Sequence, residues 1–264
     1  MWQLQKDRER MMRIRVFAMR NMKEISRDSL SYIFCFGFPI IMLLIMSVVN
    51  ASIPKEANMV LFQIQNIGPG IAVFSLCFTM LFTCLSISKD RANAFLVRLY
   101  ASPMKGVDFI SGYTLPLLII AIIQCSITFL ASGVIGLFTD YTFHFGNVLL
   151  AMVILLPSMI LFIGFGLFFG TMFSEKAAPG LCSIIISVAG MLGGIWMDVD
   201  ALGGVLAQVC KTMPFYYGVK SAKLAVNGDY AGLGKPLVIV CIYAAIVYLL
   251  AVLAFRKKMQ EDLK

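Results

Sequence analysis

The sequence predicts an all-α membrane protein with six transmembrane helices and both termini in the cytoplasm. Hydrophobic residues make up 60% of the 264-residue chain, charged residues make up 14%, and the mean hydropathy is +0.88. An average soluble domain has about 25% charged residues, so this composition excludes a soluble protein. In addition, long segments without charge recur along the chain, and Lys and Arg are concentrated in alternate connections between them.

Six segments are long and apolar enough to cross a bilayer as helices. A hydrocarbon core about 30 Å thick requires about 20 helical residues, because a helix rises about 1.5 Å per residue. None of the six contains Asp, Glu, Lys or Arg, and they comprise residues 29–53, 69–88, 113–138, 146–171, 177–196 and 236–255. Small residues spaced four apart, such as Gly166 and Gly170, predict close helix packing within these spans.

The distribution of basic residues predicts the orientation of the spans. Of the 22 Lys and Arg residues, 17 lie on the side that includes both termini and 5 lie on the other side. Because cytoplasmic loops of membrane proteins hold the excess of Lys and Arg, both termini are expected in the cytoplasm. The chain then divides into a cytoplasmic amphipathic helix (1–28), a six-span transmembrane domain (29–255) and a cytoplasmic tail (256–264).

An amphipathic helix is expected before the first span. At about 100° per residue, five apolar side chains lie within about 40° of one line. They are Met11, Ile14, Ala18, Met22 and Ile25. The opposite face carries Arg13, Arg20, Lys23 and Arg27. Such a helix lies on a membrane surface with its apolar face in lipid and its basic face toward the headgroups. It is either an anchor only or a lever that moves with a cytoplasmic partner.

The longest cytoplasmic connection, residues 89–112, mixes charged and apolar residues. It begins with a charged run, Lys89, Asp90 and Arg91. Apolar residues then recur at helical spacing, at Ala92, Phe95, Leu96 and Leu99. Ser102-Pro103 ends the helix, because proline disfavours the α conformation in the residue before it. The pattern predicts a short cytosolic helix with an apolar edge, which either a soluble partner protein or the inner ends of neighbouring spans must cover.

The outer segment 197–234 is too long for a simple turn. Its residues 201–210 are apolar but too few for a span, which predicts a re-entrant or surface-lying helix. Inside a membrane such backbone must be covered by protein or by a water-filled cavity. The neighbouring aromatic residues predict a belt at the membrane interface. The residues singled out in this region are Trp196, Pro214, Phe215, Tyr216 and Tyr217.

Residues that carry chemistry are not arranged in any recognisable motif. A proton- or ion-coupled transporter keeps ionisable groups within its spans, and the six spans have no Asp, Glu, Lys or Arg. The single histidine, His144, has no plausible ligand or base partner in its short outer loop, and the seven cysteines form no metal-binding motif. No GxxxxGK[ST] phosphate loop occurs. We therefore expect no catalytic residue and no bound metal, and an energy source on another chain.

Two stretches of the sequence carry a more specific signal. Asp90-Arg91 and Leu99-Tyr100-Ala101-Ser102-Pro103 have an acidic-basic start and a Leu-x-x-Ser-Pro ending. Met213-Pro214-Phe215-Tyr216-Tyr217-Gly218-Val219 is followed by Asn227-Gly228. Together with the amphipathic helix and six spans, they resemble the ABC-2-type permeases, the membrane subunits of bacterial ATP-binding cassette exporters. Ala92 and Ala94-Phe95 depart from the family pattern, in which a second acidic residue and Gly-Thr are usual.

The resemblance implies that the helix beginning at Lys89 docks into a separate ATP-binding subunit, with a second contact near Glu175. Two copies of that subunit hold ATP and Mg, whereas this chain binds no cofactor. A second permease protomer, identical or homologous, completes the pathway in the bacterial plasma (inner) membrane. The uncharged spans suit an amphipathic cargo, such as a drug, an antimicrobial peptide or a lipid-linked molecule. The alternative is a membrane immunity protein that sequesters a toxic peptide without transporting it.

Overall fold

The computed structural model describes residues 2–54, 60–93, 95–96, 104, 106–139 and 141–262. Within these residues the regular structure is entirely helical. The α-helices are α1 (Trp2–Ser26), α2 (Ser29–Tyr32), α3 (Phe38–Ser52), α4 (Ile64–Ala92), α5 (Gly106–Phe138), α6 (Phe145–Met172), α7 (Ala178–Leu192), α8 (Gly204–Thr212), α9 (Pro214–Asn227) and α10 (Gly234–Asp262). A π-helix (Ile33–Gly37) joins α2 to α3, and a short 3-10 helix (Val60–Phe62) precedes α4.

The π-helix results from the proline that follows it. Pro39 has no N–H, and its ring would clash with the carbonyl of residue 35 in a regular α-helix. One wider turn relieves this conflict without ending the helix, because the flanking residues Tyr32 and Phe38 both keep αR dihedrals. The first apolar segment is therefore one nearly continuous helix.

Among the described residues, five helical segments are long and apolar enough to cross a membrane. They are Ile33–Ser52, Ile64–Ala92, Gly106–Phe138, Phe145–Met172 and Gly234–Glu261. The segment predicted as a span at 177–196 instead forms α7, which has only 15 residues. Such a helix is about 22 Å long, shorter than a hydrocarbon core of about 30 Å. It ends at Leu192 with Gly193 as its C-cap, and Gly194 then adopts a positive φ of 72° that turns the chain back against α4.

Helix α4 forms the centre of the bundle, and glycines of α6 allow the closest approach to it. A Cβ atom at Gly170 would lie 2.6 Å from the carbonyl oxygen of Cys84, and one at Gly166 would overlap the carbonyl oxygen of Met80. The small-residue spacing in the fourth predicted span therefore marks the α4–α6 contact. Helix α5 packs on another side of α4, where buried Gln124 bonds to the Ser75 carbonyl.

Helices α8 and α9 form a hairpin whose connection lies inside the bundle. Phe215 packs against Phe162 and Phe165 at 5.5 and 6.0 Å between ring centroids, more than halfway along α6. From that depth α9 returns outward until the Val226 carbonyl accepts a hydrogen bond from Asn147, near the start of α6. A re-entrant or surface-lying helix was expected at residues 201–210, and the structure has α8 there, at Gly204–Thr212. Because α8 and α9 enter and leave the bundle on the same side, we call them the re-entrant hairpin. Packing within the protein buries most of α9, whereas α8 exposes most of its residues, with Val205 and Leu206 at 75% and 45%.

The aromatic residues of this segment do not form the interfacial belt that the sequence suggested. Phe215 and Tyr216 are only 4% and 5% exposed, and Pro214 is also buried. Trp196 is half-buried against Phe74, with 6.0 Å between the ring centroids. Because α9 turns inward, its aromatic side chains pack into the core rather than lying at the rim.

Helix α1 and the last turns of α10 lie at one end of the bundle, which we call the terminal end. Phe17 of α1 packs edge-on against Phe109 of α5, and Phe109 in turn contacts Phe255 of α10. The last turns of α4 and α6 also lie there, because Arg91 bonds to the carbonyl of Gly170. Asn147 and Val226 mark the opposite end.

Candidate functional site

A polar cluster at the terminal end fastens α1 to the long helices. Its foundation is the contact between α1 and α5. Phe17 lies against Gly112, where a Cβ atom would overlap the Phe17 ring, and it packs edge-on against Tyr113 at 5.1 Å. Asn21, one turn later and 1% exposed, donates a hydrogen bond of 3.1 Å to the Gly112 carbonyl. This side of α1 therefore packs against α5 and is not available to lipid or solvent.

Arg20 and Asp90 form the centre of the cluster. The guanidinium of Arg20 donates two hydrogen bonds, of 2.7 and 2.9 Å, to the two carboxylate oxygens of Asp90. Tyr113 donates a third to Asp90, at 2.6 Å. The Asp90 side chain is only 4% exposed, so its charge depends on these donors. Burial alone would lower the pKa of Arg20, but the hydrogen bonds and charge of Asp90 raise that pKa above its ordinary value.

The same guanidinium also connects to the segment after α4. The Arg20 carbon Cζ lies 4.0 Å above the centre of the Phe95 ring, a cation–π contact. Along α1, Arg20 bonds to Asn21 at 2.8 Å and pairs with Glu24 at 2.6 Å. One side chain therefore contacts α1, the end of α4, and the described residues that follow it.

Two further arginines extend the cluster. Arg91 donates hydrogen bonds to the carbonyls of Gly170, Thr171 and Phe173, at the end of α6. The last carbonyls of a helix have no partners within it, so Arg91 caps α6 from α4. Near the start of α1, Arg10 pairs at 2.6 Å with Asp108, whose side chain is 4% exposed.

A second polar cluster lies nearer the opposite end, between the α7–α8 connection and α9. Lys220 pairs with Asp200 at 2.8 Å, and Tyr216 donates to the same carboxylate at 2.6 Å. These donors lower the pKa of Asp200 despite its partial burial, and burial together with Asp200 raises the pKa of Tyr216 to about 12. Lys223 bonds to the Gly194 carbonyl at 2.8 Å, and burial lowers its pKa to about 8.

Neither cluster has the composition of a reaction centre. Within the part of the chain that the structure describes, no three His, Cys, Asp or Glu residues come together as metal ligands. The charged groups of the two clusters are paired with one another or with backbone carbonyls. Their role is therefore to hold helices together. The terminal cluster joins three of the long helices, α4, α5 and α6, to one surface helix.

Comparison with known protein families gives the context for this arrangement. The sequence model of the ABC-2 type transporter family matches residues 12–225, about four fifths of the chain. The chain belongs to the ABC-2 type transporter family. It is accordingly a transmembrane ABC transporter subunit, a permease that works in the membrane with an ATP-binding subunit. No curated protein matches the chain closely enough to add a relative.

The predicted coupling residues of this ABC-2 type transporter chain lie in different environments. Lys89, Asp90 and Arg91 belong to the last turn of α4, not to a separate helix, because α4 continues to Ala92. Lys89 is exposed, whereas Asp90 is buried. Phe95 is half-buried and Leu96 is fully buried, in helical conformation after a turn at Asn93. Glu175 is exposed beside the end of α6. Leu99, Ser102 and Pro103 lie outside the described residues.

The predicted surface helix is present as α1, but its burial differs from the expectation. Met11 is 65% exposed, and Ile14 and Met22 are half-buried. Lys23 is exposed and Arg13 is half-buried. Arg20 does not extend toward headgroups as expected, since it pairs with buried Asp90. The buried stripe contains Phe17 and Asn21, about a quarter-turn from the predicted apolar line.

Sequence reasoning missed the residues that attach α1. Pro116 could have indicated where α1 attaches. A proline within a helix leaves the carbonyl four residues earlier, here that of Gly112, without its helical hydrogen-bond donor. Asn21 supplies that donor. Tyr113 and Asp108 gave no such signal, since Tyr113 stands at the expected edge of a span and Asp108 in the cytoplasmic connection before it, where polar residues are common.

Proposed function

We propose that the chain is the permease subunit of an ATP-driven exporter in the plasma (inner) membrane of a bacterium, with six spans and both termini in the cytoplasm. The observation that carries the proposal is the bond network from Arg20 to Asp90 and Phe95. It joins a surface helix, the end of the central span and the segment that resembles a coupling helix. A movement of that segment would pass directly into α1 and α4.

The path of the chain supports a sixth crossing by α7, although this helix is short. Helix α6 ends at the terminal end, where Arg91 caps it, and α10 begins near the opposite end. Between them only α7 and the re-entrant hairpin are present. Since the hairpin leaves on the side it entered, this path favours α7 as the connection between the two ends. The excess of Lys and Arg at the terminal end of the bundle favours a cytoplasmic location for that end.

A groove beside the cluster is the proposed contact for the ATP-binding subunit. It has a volume of about 590 Å³ and lies between α1 and the residues after α4. Its walls include Met12, Val16, Phe95 and Met104. Met12 and Val16 are 66% and 63% exposed, and both lie outside the candidate spans. Apolar side chains in contact with cytosol require a protein cover, which a partner holding ATP and Mg would provide.

A second protomer, identical or homologous, is proposed to cover part of the first span. Of the five candidate spans, Ile33–Ser52 is the least buried, with 17% of its most apolar 18 residues buried within the protein. Two permease protomers would each bind one ATP-binding subunit, and the pathway would lie between the protomers. Within the candidate spans the charged residues lie near helix ends, with Lys235 at the start of α10 and the others at the terminal end. Uncharged middle segments favour an amphipathic cargo such as a drug, a peptide or a lipid-linked molecule.

Copurification from the native cell tests this proposal. The tagged full chain is expected to bring an ATP-binding cassette subunit with it in equal amount. Replacing Phe95 or Met12 by Asp should release that subunit, because a carboxylate would be buried at the apolar contact. Ala201→Asp is the control, since Ala201 is exposed in the α7–α8 connection, far from the terminal cluster.

Three outcomes would separate the possibilities. Loss of the ATP-binding subunit from the Phe95 and Met12 variants, but not from the Ala201 variant, supports docking at the groove. Retention of the subunit by all three variants would overturn the docking surface. A wild-type chain that binds a toxic peptide and brings no ATP-binding subunit would overturn the exporter and favour sequestration.

A further inference from the structure

A second groove lies on the other side of α1, between that helix, α5 and α10. Its volume is about 710 Å³. Helix α1 lines it with Met11, Ile14, Ala18 and Met22, the apolar line that the sequence identified. These apolar side chains of α1 therefore do not pack against the spans, because α1 contacts α5 through Phe17. The groove lies between them and the spans.

The wall formed by α5 and α10 presents few free polar groups to the groove. Thr114 and Tyr248 both line it, but their hydroxyl groups lie 3.0 Å apart and bond to each other. Ser111 donates to the carbonyl of Val107 in its own helix. The remaining wall includes Leu115 and Ile119. Such a surface suits hydrocarbon, since no buried donor or acceptor on it requires a polar ligand.

One basic side chain stands at the rim of the groove. Arg15 lines it, is exposed, and makes no hydrogen bond or ion pair with the described residues. Its neighbours three and four positions away on α1 are Met11, Met12, Ala18 and Met19, so none is an acid that could neutralise it. The groove thus combines a hydrocarbon-like channel with one unpaired positive charge.

The groove also runs from the polar surface into the level of the spans. Ile119 lies eight residues beyond Ser111, which is about 12 Å along α5. Leu115 and Ile119 are 47% and 48% exposed within the candidate span Gly106–Phe138, so lipid surrounds this part of the wall. A molecule in the groove would have its apolar part at hydrocarbon depth and its charged part at Arg15.

We propose that this groove binds a bilayer phospholipid with an anionic headgroup, with its acyl chain along Met11, Ile14 and Ile119 and its phosphate paired with Arg15. Bilayer phospholipid is present at this depth at high concentration, and an anionic headgroup complements the unpaired arginine. A bound lipid would fill the space between α1 and the spans. It would therefore stabilise the position of α1, whatever cargo the transporter carries.

Native mass spectrometry of the full chain tests this site. The protein is reconstituted with equal amounts of phosphatidylglycerol and phosphatidylcholine, extracted in detergent, and examined for retained lipid. The wild-type chain should retain phosphatidylglycerol preferentially. Arg15→Gln should lower the ratio of retained phosphatidylglycerol to phosphatidylcholine about fivefold, which corresponds to loss of one basic contact with an anionic lipid. Arg13→Gln is the control, because Arg13 lines the other groove.

A second pair of variants tests the groove itself. Ala18→Phe would fill the channel and should remove retained lipid of both kinds, whereas Val16→Phe lies on the other side of α1 and should retain it. Equal retention of the two lipids by the wild-type chain would overturn the proposal. So would equal losses in the Arg15 and Arg13 variants, or unchanged retention after Ala18→Phe.

Discussion

Asn21 of α1 donates a hydrogen bond of 3.1 Å to the carbonyl of Gly112 in α5. Pro116, four residues beyond Gly112, lacks the N–H that would otherwise bond to this carbonyl. The free carbonyl of Gly112 accepts the hydrogen bond from Asn21, and the missing Cβ leaves room for the ring of Phe17. A helix irregularity inside one long helix therefore determines where the surface helix attaches.

Asn21→Leu should destabilise the protein by about 1–3 kcal/mol, because it leaves the Gly112 carbonyl buried and unpaired. In a Pro116→Ala background the new N–H of residue 116 can bond to that carbonyl, so the same substitution should cost less. Unfolding of the four proteins in detergent gives the coupling as a double-mutant cycle. An equal loss in both backgrounds would contradict the role assigned to Pro116.

Gly112→Ala should displace α1, because the added Cβ would overlap the ring of Phe17. Overpacking of this kind costs about 1–3 kcal/mol. Gly133→Ala in the same helix is the control, since a Cβ there meets no atom within 4 Å and alanine favours the helix. Hydrogen exchange of α1 amides should accelerate in the first variant only. Similar exchange in both variants would show that Gly112 is not required for close approach.

Arg20→Gln should be more damaging than Asp90→Asn. The Asp90 side chain is 4% exposed and loses both guanidinium bonds when Arg20 is replaced, whereas Arg20 is 34% exposed and keeps Glu24 and water when Asp90 is replaced. Removing a partner from a buried charge costs more than removing one from a hydrated charge, by about 1–3 kcal/mol. Thermal unfolding of the two variants checks the order, and a reversed order would contradict the view that Asp90 depends on Arg20 more than Arg20 depends on Asp90.

The long spans could be predicted from the sequence because their signal is additive over many residues. Uncharged apolar runs predicted both ends of all five long helical segments to within about seven residues. They did not predict the π-helix at the start of the first segment. Helix α7 was the exception. Its end depends on Gly194 adopting a positive φ and on the next residues folding against α4, and no property of an apolar run indicates this.

The polar clusters were less predictable because they depend on pairs distant in sequence. Asp90 and Arg20 were each recognised as charged residues near the cytoplasm, but their separation of 70 positions gave no indication that they pair. The buried face of α1 was misplaced for the same reason. Its hydrophobic line suggested lipid contact, whereas a glycine and a proline on α5 select Phe17 and Asn21 for burial.

The stability of the folded chain should rise with pH between about 8 and 10.5 through Lys223. Burial lowers the pKa of Lys223 to about 8 from 10.5, so in this range the unfolded chain binds more protons than the folded one. Below pH 8 both states are protonated and the cost of burying the charge is fully present. Nearby Asp198 and Asp200 offset part of that cost.

Lys223→Met should therefore remove this part of the pH dependence, and its stability relative to wild type should be greatest below pH 8. Lys235→Met is the control, because Lys235 is exposed at the start of α10 and should leave the wild-type slope unchanged. Thermal unfolding in detergent from pH 7 to pH 10.5 measures both. A slope that persists in Lys223→Met, or disappears in Lys235→Met, would show that a different group releases the proton. The slope therefore measures how far α9 and the Gly194 turn exclude water from Lys223, which is the packing that keeps the re-entrant hairpin inside the bundle.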